Sequence, residues 1–274
     1  MNSTASPEIA IIMSVYLNDR LTCVNAAISS LLEQSFPHFD CFIQIDGPLN
    51  PDVKDYLYGL QDARIQLLSR EENLGLARSL NDLLAVVLEK GYPFIARMDA
   101  DDICFPTRLE KQMHYLEKHP DIDCLGTWAI EIDGEGKEFF RKRMPETHEE
   151  CLDLFRKRDC VIHPTVMFRK SFFEKAGLYP TDTYFAEDTL LWAQGFSAGC
   201  RFANLTDYLL YYRLDDSFFK RRRGWKHARS IFSLRRRINR MLGFGLRADL
   251  YGLAYAFVKL MPPSILSILY RAAR

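Results

Sequence analysis

Four consecutive residues, Asp99-Ala100-Asp101-Asp102, put three carboxylates directly after Tyr92 to Met98, an apolar run that reads as a buried strand. Acid at the end of a buried strand makes a poor core and a good cation site. On an extended backbone side chains alternate, which would place Asp99 and Asp101 on one face and Asp102 on the other. Two hard oxygen ligands on one face suit Mg²⁺ or Mn²⁺, ions that keep several waters and bind through one or two carboxylates plus a substrate's phosphates. The competing reading is an acidic turn capping a helix that starts near Phe105-Pro106. A second acidic pair, Glu187-Asp188, stands well apart from the first and opens a helix carrying Leu190, Leu191 and Trp192. As first-turn acids these two can do no more than complement a helix dipole, or they can do separate chemistry.

Such residues need a scaffold, and the chain supplies one by alternation. Ile9 to Val15 is a β-rich apolar run followed by a helical pattern through Val24, Ala27, Ile28, Leu31 and Leu32. Cys41 to Ile45 repeats the strand signal and stops at the Asp46-Gly47-Pro48 turn. Ile65 to Leu68 is a third strand, and Leu76, Leu80, Leu83, Leu84, Val87 and Leu88 form the apolar stripe of the next helix. Strands alternating with helices predict an α/β fold with a mostly parallel, doubly wound sheet, whose ligands bind beyond the carboxyl ends of the strands. Tyr16, Asp46, residues 70–73 and residues 99–102 all fall at such ends. Farther on, the pattern predicts a helix over 106–119, a strand over 122–132 reaching a turn at 133–136, a short strand over 163–168 entered through Pro164, and a strand over 208–213. Glycine-rich phosphate loops and internal repeats are absent from the sequence.

Composition sets the outer bounds. With 274 residues, 48% of them hydrophobic and 26% charged, the chain has the make-up of a soluble globular protein. Its seven cysteines are scattered with no Cys-x-x-Cys pair, which argues for small core residues in a reducing compartment and against a disulfide framework or zinc site. The first residues show neither the basic region nor the apolar stretch of a signal peptide, so a cytoplasmic location is expected. The formal net charge of zero hides a division. Residues 1–216 hold 35 acidic and 22 basic side chains, whereas residues 217–274 hold one acid, Asp249, against 14 bases. An acidic body of 1–216 joined to a basic tail of 217–274 implies an anionic partner for the tail.

Taken together, these residues carry a resemblance. Ser14-Val15-Tyr16, the strand end at Asp46, Glu72-Asn73-Leu74-Gly75-Leu76-Ala77, Met98-Asp99-Ala100-Asp101-Asp102, His163-Pro164 and Glu187-Asp188 occur in the order seen in family 2 glycosyltransferases of the GT-A fold. The resemblance spans about residues 8–215 and is far more specific than any one motif. The run 95–99, the segment 163–170 and a basic Lys220-Arg221-Arg222 stretch are similar to those of bacterial enzymes of O-antigen and exopolysaccharide assembly.

The resemblance implies a GT-A-like domain with a nucleotide-sugar half, 1–104, and an acceptor half, 105–216. It implies a UDP-sugar donor bound at the strand ends by Ser14, Tyr16, Asp46, Asn73, Arg78 and Asp99, with Tyr16 near the uracil and Asp46 accepting from the ring N–H. Asp101, with Asp99, would bind a divalent metal at the diphosphate, and Asp102 would matter least to it. Charge builds on the leaving UDP as the bond to the sugar breaks, and a cation stabilises that charge most in the transition state. Transfer also needs a base, and metal-bound carboxylates are poor ones because the cation depresses their basicity. By the family pattern the base is Asp188, attacking opposite the leaving group and inverting the anomeric centre. Glu187 would orient the acceptor, and His163 would line the acceptor side.

The tail fits the same implication. Lys220 to Arg223, Lys226, Arg229, Arg235 to Arg237 and Arg240 interleave with Trp225, Ile231, Phe232, Leu234 and Ile238 at helical spacing, as in helices that lie on anionic membranes. Residues 250–269 are apolar, but Lys259 and Pro262-Pro263 interrupt them, which favours interfacial helices over a span. The expected protein is therefore peripheral at the inner face of the cell membrane, meeting an undecaprenyl-diphosphate-linked saccharide there. RNA is a poorer partner, since the body has no recognisable nucleic-acid module. The Gln-x-x-Arg-Trp motif of processive members is missing, with only Arg223-Gly224-Trp225 as a faint echo, so one sugar per encounter is expected. A sugar-1-phosphate nucleotidyltransferase would want a glycine-rich basic loop where Ser14 to Asn18 stand, and a dehalogenase-type phosphatase an aspartate where Gln44 stands. The non-enzymatic alternative is a membrane-docked, nucleotide-binding scaffold subunit.

Overall fold

A computed structural model describes residues 8–214 and 224–262. The basic run 220–223 and the end of the apolar stretch 250–269 lie outside the described residues. The first half alternates as its hydrophobic pattern dictates: β1 (Ile9–Val15), α1 (Leu21–Leu32), β2 (Phe39–Asp46), α2 (Pro51–Gly59), β3 (Ile65–Arg70), α3 (Leu76–Lys90) and β4 (Phe94–Asp99). Strands β3, β2, β1 and β4 lie side by side in that order and all run parallel. Helical crossovers account for this, because parallel neighbours cannot be joined by a tight hairpin.

β1 is buried on both faces, and its alternation sorts two cores. Ile9, Ile11, Met13 and Val15 meet Val24, Ile28 and Leu31 of α1 on one side. Ala10 and Ile12 meet Leu80, Leu83, Leu84 and Val87 of α3 on the other. The register Ser14 to Asp99, Val15 to Ile45 and Asp46 to Arg70 then brings the carboxyl ends of all four strands to one rim.

Beyond β4 the chain is less regular: β5 (Ile103–Cys104), α4 (Arg108–Lys118), β6 (Cys124–Ile132), β7 (Glu138–Lys142), α5 (His148–Phe155), a single 3-10 turn (His163–Thr165), β8 (Met167–Arg169), α6 (Lys170–Ala176), α7 (Glu187–Ser197) and β9 (Phe202–Arg213). The predicted strand over 163–168 is thus half turn and half strand, because Pro164 has no N–H to give a ladder. β8 pairs antiparallel with β4 and with β6, while β6 and β9 form a long parallel ladder. The parallel ladders are the long ones and the antiparallel ladders short, so the sheet is mostly parallel, as the alternation predicted. Because β8 runs against β4, the turn that precedes it lies at the carboxyl rim, where the Arg97 N–H donates to the Val166 carbonyl at 3.0 Å. All seven cysteines are buried and unpaired, as their scatter predicted.

The C-terminal segment forms α8 (Trp225–Met241) and α9 (Leu246–Val258). Their arrangement corrects one expectation. The apolar face of α8 is not available to a membrane: Leu234 and Ile238 are buried in the same core as Phe155, Phe172 and Trp192. Arg235, grouped by sequence with the basic face, is buried instead, donating to the Phe155 carbonyl at 3.1 Å and pairing with Asp159 at 3.5 Å. Apart from Trp225 and Met241 at the two ends of α8, the large exposed apolar side chains of this segment lie on or just after α9, where Leu246, Leu250, Leu253 and Phe257 follow helical spacing. Among the described residues no helix is long and apolar enough to cross a membrane.

Candidate active site

The rim holds the predicted residues in two groups. In the first, β4 ends at Asp99 and the chain turns at Ala100, so strand alternation stops there. Asp102 therefore does not point away. Asp99, Asp101 and Asp102 each bring a carboxylate oxygen within 4.8 Å of the others. Asp102 is fully buried; one of its oxygens accepts from the Arg213 N–H at 2.8 Å and the other, Oδ2, has no hydrogen-bond partner among the described residues. Burial and the neighbouring Asp99 charge push the Asp101 carboxyl up to about 6. Burial, then Asp101 and Asp99, raise Asp102 well above the usual carboxylate range.

Crowded acid with an orphaned buried oxygen fits a divalent cation: the donors are hard oxygens, the local charge is under-compensated, and a lone pair is left over. Asp99, Asp101 and Asp102 would hold it, and the ion would supply charge neutralisation for a departing diphosphate. Some compensation is already built in. Arg97, buried within β4, pairs with Asp99, and its Nε and Nη1 have no protein partner. Arg213 braces the same turn, its Nε donating to the Asp101 carbonyl at 2.8 Å.

Asp46 is placed differently from its expected role. Its buried carboxylate already accepts from Arg70 Nε at 2.8 Å and Nη2 at 2.7 Å, from the Leu74 N–H at 2.8 Å and from the Gly75 N–H at 2.9 Å. Asn73 donates to the Asp46 backbone carbonyl at 3.2 Å. Asp46 thus organises the loop over 72–75, and Gly47 is required there: a Cβ would stand 2.6 Å from the Asn73 nitrogen on a backbone at φ +82°. Tyr16 is half-buried past the end of β1, its N–H donating to Asp19 at 2.9 Å, and Ser14 sits opposite Asp99. Arg78 is exposed on the first turn of α3, with no ion pair among the described residues.

The second group lies where the β8 turn meets α7. His163 Nε2 is 2.8 Å from the Tyr179 hydroxyl, and its Nδ1 is 3.9 Å from Asp188. Burial first, and then the Arg97 charge, hold His163 well below its usual range, so it is neutral. The Tyr179 hydroxyl, itself raised by burial, is the natural donor to Nε2, which leaves the Nδ1–H turned toward the carboxylate. Tyr179 is held by Asn81 of α3, whose amide bonds both its backbone groups at 2.8 and 2.9 Å. Ala186, which caps α7, has φ 62°, the one positive value outside glycine among the described residues. That conformation costs on the order of 1 kcal/mol. It turns the chain so that Glu187 and Asp188 open the helix, where Asp188 also accepts from the Thr189 N–H at 2.8 Å.

Tyr179 and Arg213 were not picked out by the sequence, and Arg70 and Arg97 entered only as members of the runs 70–73 and 95–99, without a role of their own. Arg97 carried a further signal, an arginine inside an otherwise apolar strand, which must be paired if that strand is buried. The arrangement offers a carboxylate cluster able to hold a cation at the carboxyl rim of the sheet, and a carboxylate on α7 next to a neutral histidine.

Comparison with known proteins now gives this geometry a family. Residues 10–177 match the family model of Glycosyl transferase family 2. The amylovoran biosynthesis glycosyltransferase AmsE of Erwinia amylovora is 32% identical over 97% of this chain and 98% of its own length. The UDP-Gal:alpha-D-GlcNAc-diphosphoundecaprenol beta-1,3-galactosyltransferase of Escherichia coli is 24% identical over 98% of this chain and 97% of its own. Among solved structures, S. aureus TarS 1–349 in complex with UDP-GlcNAc superposes with a TM-score of 0.63 at 17% identity, covering 94% of this chain and 83% of that one. Full-length TarS is longer, and this chain spans 44% of it, at a TM-score of 0.59 and 18% identity. The fold is therefore that of GT-A glycosyltransferases, and the chain belongs to glycosyl transferase family 2.

Proposed function

We propose that this glycosyltransferase moves a hexose from a UDP-sugar to a lipid-diphosphate-linked saccharide, in the assembly of a cell-surface polysaccharide, with inversion at the anomeric carbon. One observation carries the reading: three crowded carboxylates gather at the end of β4, and a further carboxylate, Asp188, opens α7 beside His163. Asp188 takes the proton of the acceptor hydroxyl as its oxygen attacks C1 of the sugar. The C1–O bond to the diphosphate breaks, and its electron pair leaves with UDP. Asp99, Asp101 and Asp102 would hold a divalent metal, Mn²⁺ or Mg²⁺, which would supply charge neutralisation for the departing diphosphate. Arg97 keeps Asp99 oriented, and the neutral His163, fixed by Tyr179, faces Asp188 without competing for the proton. Tyr16 and Ser14 line the nucleoside side, while Asp46 and Asn73 shape the loop over 72–75 that borders it.

Names of similar proteins support donor and acceptor class. The Escherichia coli relative uses UDP-Gal and a diphosphoundecaprenol acceptor by its name, and one structural neighbour, a mannosyltransferase from Pyrobaculum calidifontis, is seen with GDP-Man and Mn²⁺. We read residues 1–216 as the catalytic unit and the basic C-terminal segment as its anchor to an anionic membrane on the cytoplasmic side. The test pairs two variants. Asp101→Ala should abolish transfer together with metal-dependent UDP binding, whereas Asp188→Asn should abolish transfer with UDP binding retained. Near-normal turnover in Asp188→Asn would remove the proposed base.

A further inference from the structure

The outer face of α8 does not pack on the body, and it borders an open cleft of about 590 Å³. One wall is the segment 182–185, which leads through the left-handed Ala186 directly to Asp188. The other wall is α8, presenting Trp225, Lys226, Arg229 and Arg237. Arg237 is neutralised by Asp182 at 2.8 Å. Lys226 and Arg229 have no acidic partner among the described residues, and Lys226 lies 3.9 Å over the Tyr184 ring. A second groove of about 640 Å³ shares Arg229 and Arg237 and adds Arg236 and Arg240, so the positive surface continues along the helix. Trp225 is 74% exposed at the mouth. The start of α8 is tied to the end of α9 by the Gly224 N–H, which donates to the Lys259 carbonyl at 2.9 Å. The outward apolar stripe of α9, ending at Phe257, therefore begins beside Trp225.

Charge, aromatic surface and a neighbouring apolar stripe in this order match one chemistry. We propose that the cleft between 182–185 and α8 binds the diphosphate of a membrane-borne, lipid-linked acceptor, with Lys226 and Arg229 on the phosphates and Trp225 and Tyr184 on the first units of the lipid chain. The stripe Leu246, Leu250, Leu253 and Phe257 faces the bilayer from which that lipid rises. Two cations without acidic partners, set one helical turn apart, form charge-assisted bonds to a diphosphate that a neutral saccharide cannot offer. A flat basic face would suffice for a lipid surface alone. A cleft walled by the segment that leads into Asp188 does more, since it ties the position of the diphosphate to that of the attacking sugar. This inference rests on the reading of Asp188 as the base only for which end of the acceptor points inward.

The experiment measures binding without turnover. Farnesyl diphosphate, farnesol, inorganic pyrophosphate and vesicles with and without anionic lipid are titrated into the full chain in EDTA, following Trp225 emission and heat. Chelation leaves the acidic cluster repelling anions, so binding there does not contribute. Farnesyl diphosphate should bind more tightly than pyrophosphate or farnesol, and the Lys226→Ala/Arg229→Ala double variant should weaken it by about tenfold or more. Arg247→Ala, on α9 and outside the cleft, should leave that affinity unchanged. Equal loss in Arg247→Ala, equal affinity for pyrophosphate, or binding to anionic vesicles with none to farnesyl diphosphate would each overturn the proposal. Unchanged melting of the variants excludes misfolding as the cause. If Asp188→Asn kept turnover while the cleft bound as expected, the base assignment would fall and the cleft would stand.

Discussion

The two carboxylate regions of the rim are built on opposite principles. Asp99, Asp101 and Asp102 are crowded, partly buried and short of positive charge, so two of them are pushed well above the ordinary range. Asp188 belongs to another element, at the first turn of α7, beside a histidine that burial keeps neutral. The first arrangement is unstable without a cation and is therefore a place to put one. The second places a carboxylate beside a neutral histidine on a different element, which suits a proton acceptor. The contrast teaches that a cluster of acids and an acid paired with a neutral histidine are different functional signals, here supplied by the end of β4 and by α7.

The largest effect that would break the contrast is on chemistry. Asp188→Asn should lower kcat by about a thousandfold, as loss of a general base does, with UDP affinity and melting temperature unchanged. A parallel loss of UDP affinity would mean that the two regions act as one.

Next comes the charge of the cluster itself. Replacing Arg97 by Met removes the cation paired with Asp99 in a buried setting and should destabilise the metal-free protein by roughly 3 kcal/mol, read as a lower urea midpoint. Asp188→Asn should not move that midpoint.

A pH titration sharpens the same point. Asp101 is raised to about 6 in the folded state from an ordinary value of 3.8, so without metal it costs stability as pH rises through that window, and the cost is absent below it. Asp101→Asn should therefore raise the metal-free melting temperature at pH 7.5 and leave it unchanged at pH 4. Mn²⁺ should stabilise the native chain at pH 7.5 and lose that effect as pH falls through about 6. An equal Mn²⁺ effect at pH 5 would place the ion elsewhere.

The smallest change is expected at His163. His163→Leu removes a neutral donor facing Asp188 and should lower kcat about tenfold with UDP affinity retained, and Tyr179→Phe less than that. His163→Asn, which restores an N–H near the Nδ1 position, should recover part of the loss. A variant equally slow in all three forms would indicate a packing role alone.

Much of this site was legible in the sequence, for definite reasons. The alternation of β1 to β4 with α1 and α3 follows from apolar spacing, whereas α2, a short helix burying only Val53 and Leu57, went unread, and parallel topology then forces Asp46, Arg70 and Asp99 to a common rim. What misled was extrapolating strand alternation past Asp99: the backbone turns at Ala100, so Asp102 joins its neighbours. Asp46 read as a free acceptor because sequence shows no partners, whereas four donors converge on it from Arg70 and the 72–75 loop. The basic amphipathic pattern of α8 was read correctly as amphipathic, but periodicity states only that a face is apolar, and here the body covers it.

Sequence by itself determined which residue types lie at strand ends, the alternation of the long strands with the long helices, and the division into an acidic body and a basic end, because these depend on local spacing and composition. Only the tertiary structure decided which carboxylates are buried, which are already paired, that His163 and Tyr179 stand beside Asp188, and that α8 encloses a cleft next to it. Those properties arise from contacts between segments far apart in the chain, and burial and pairing, which set the chemistry of an ionisable group, exist only once such segments meet.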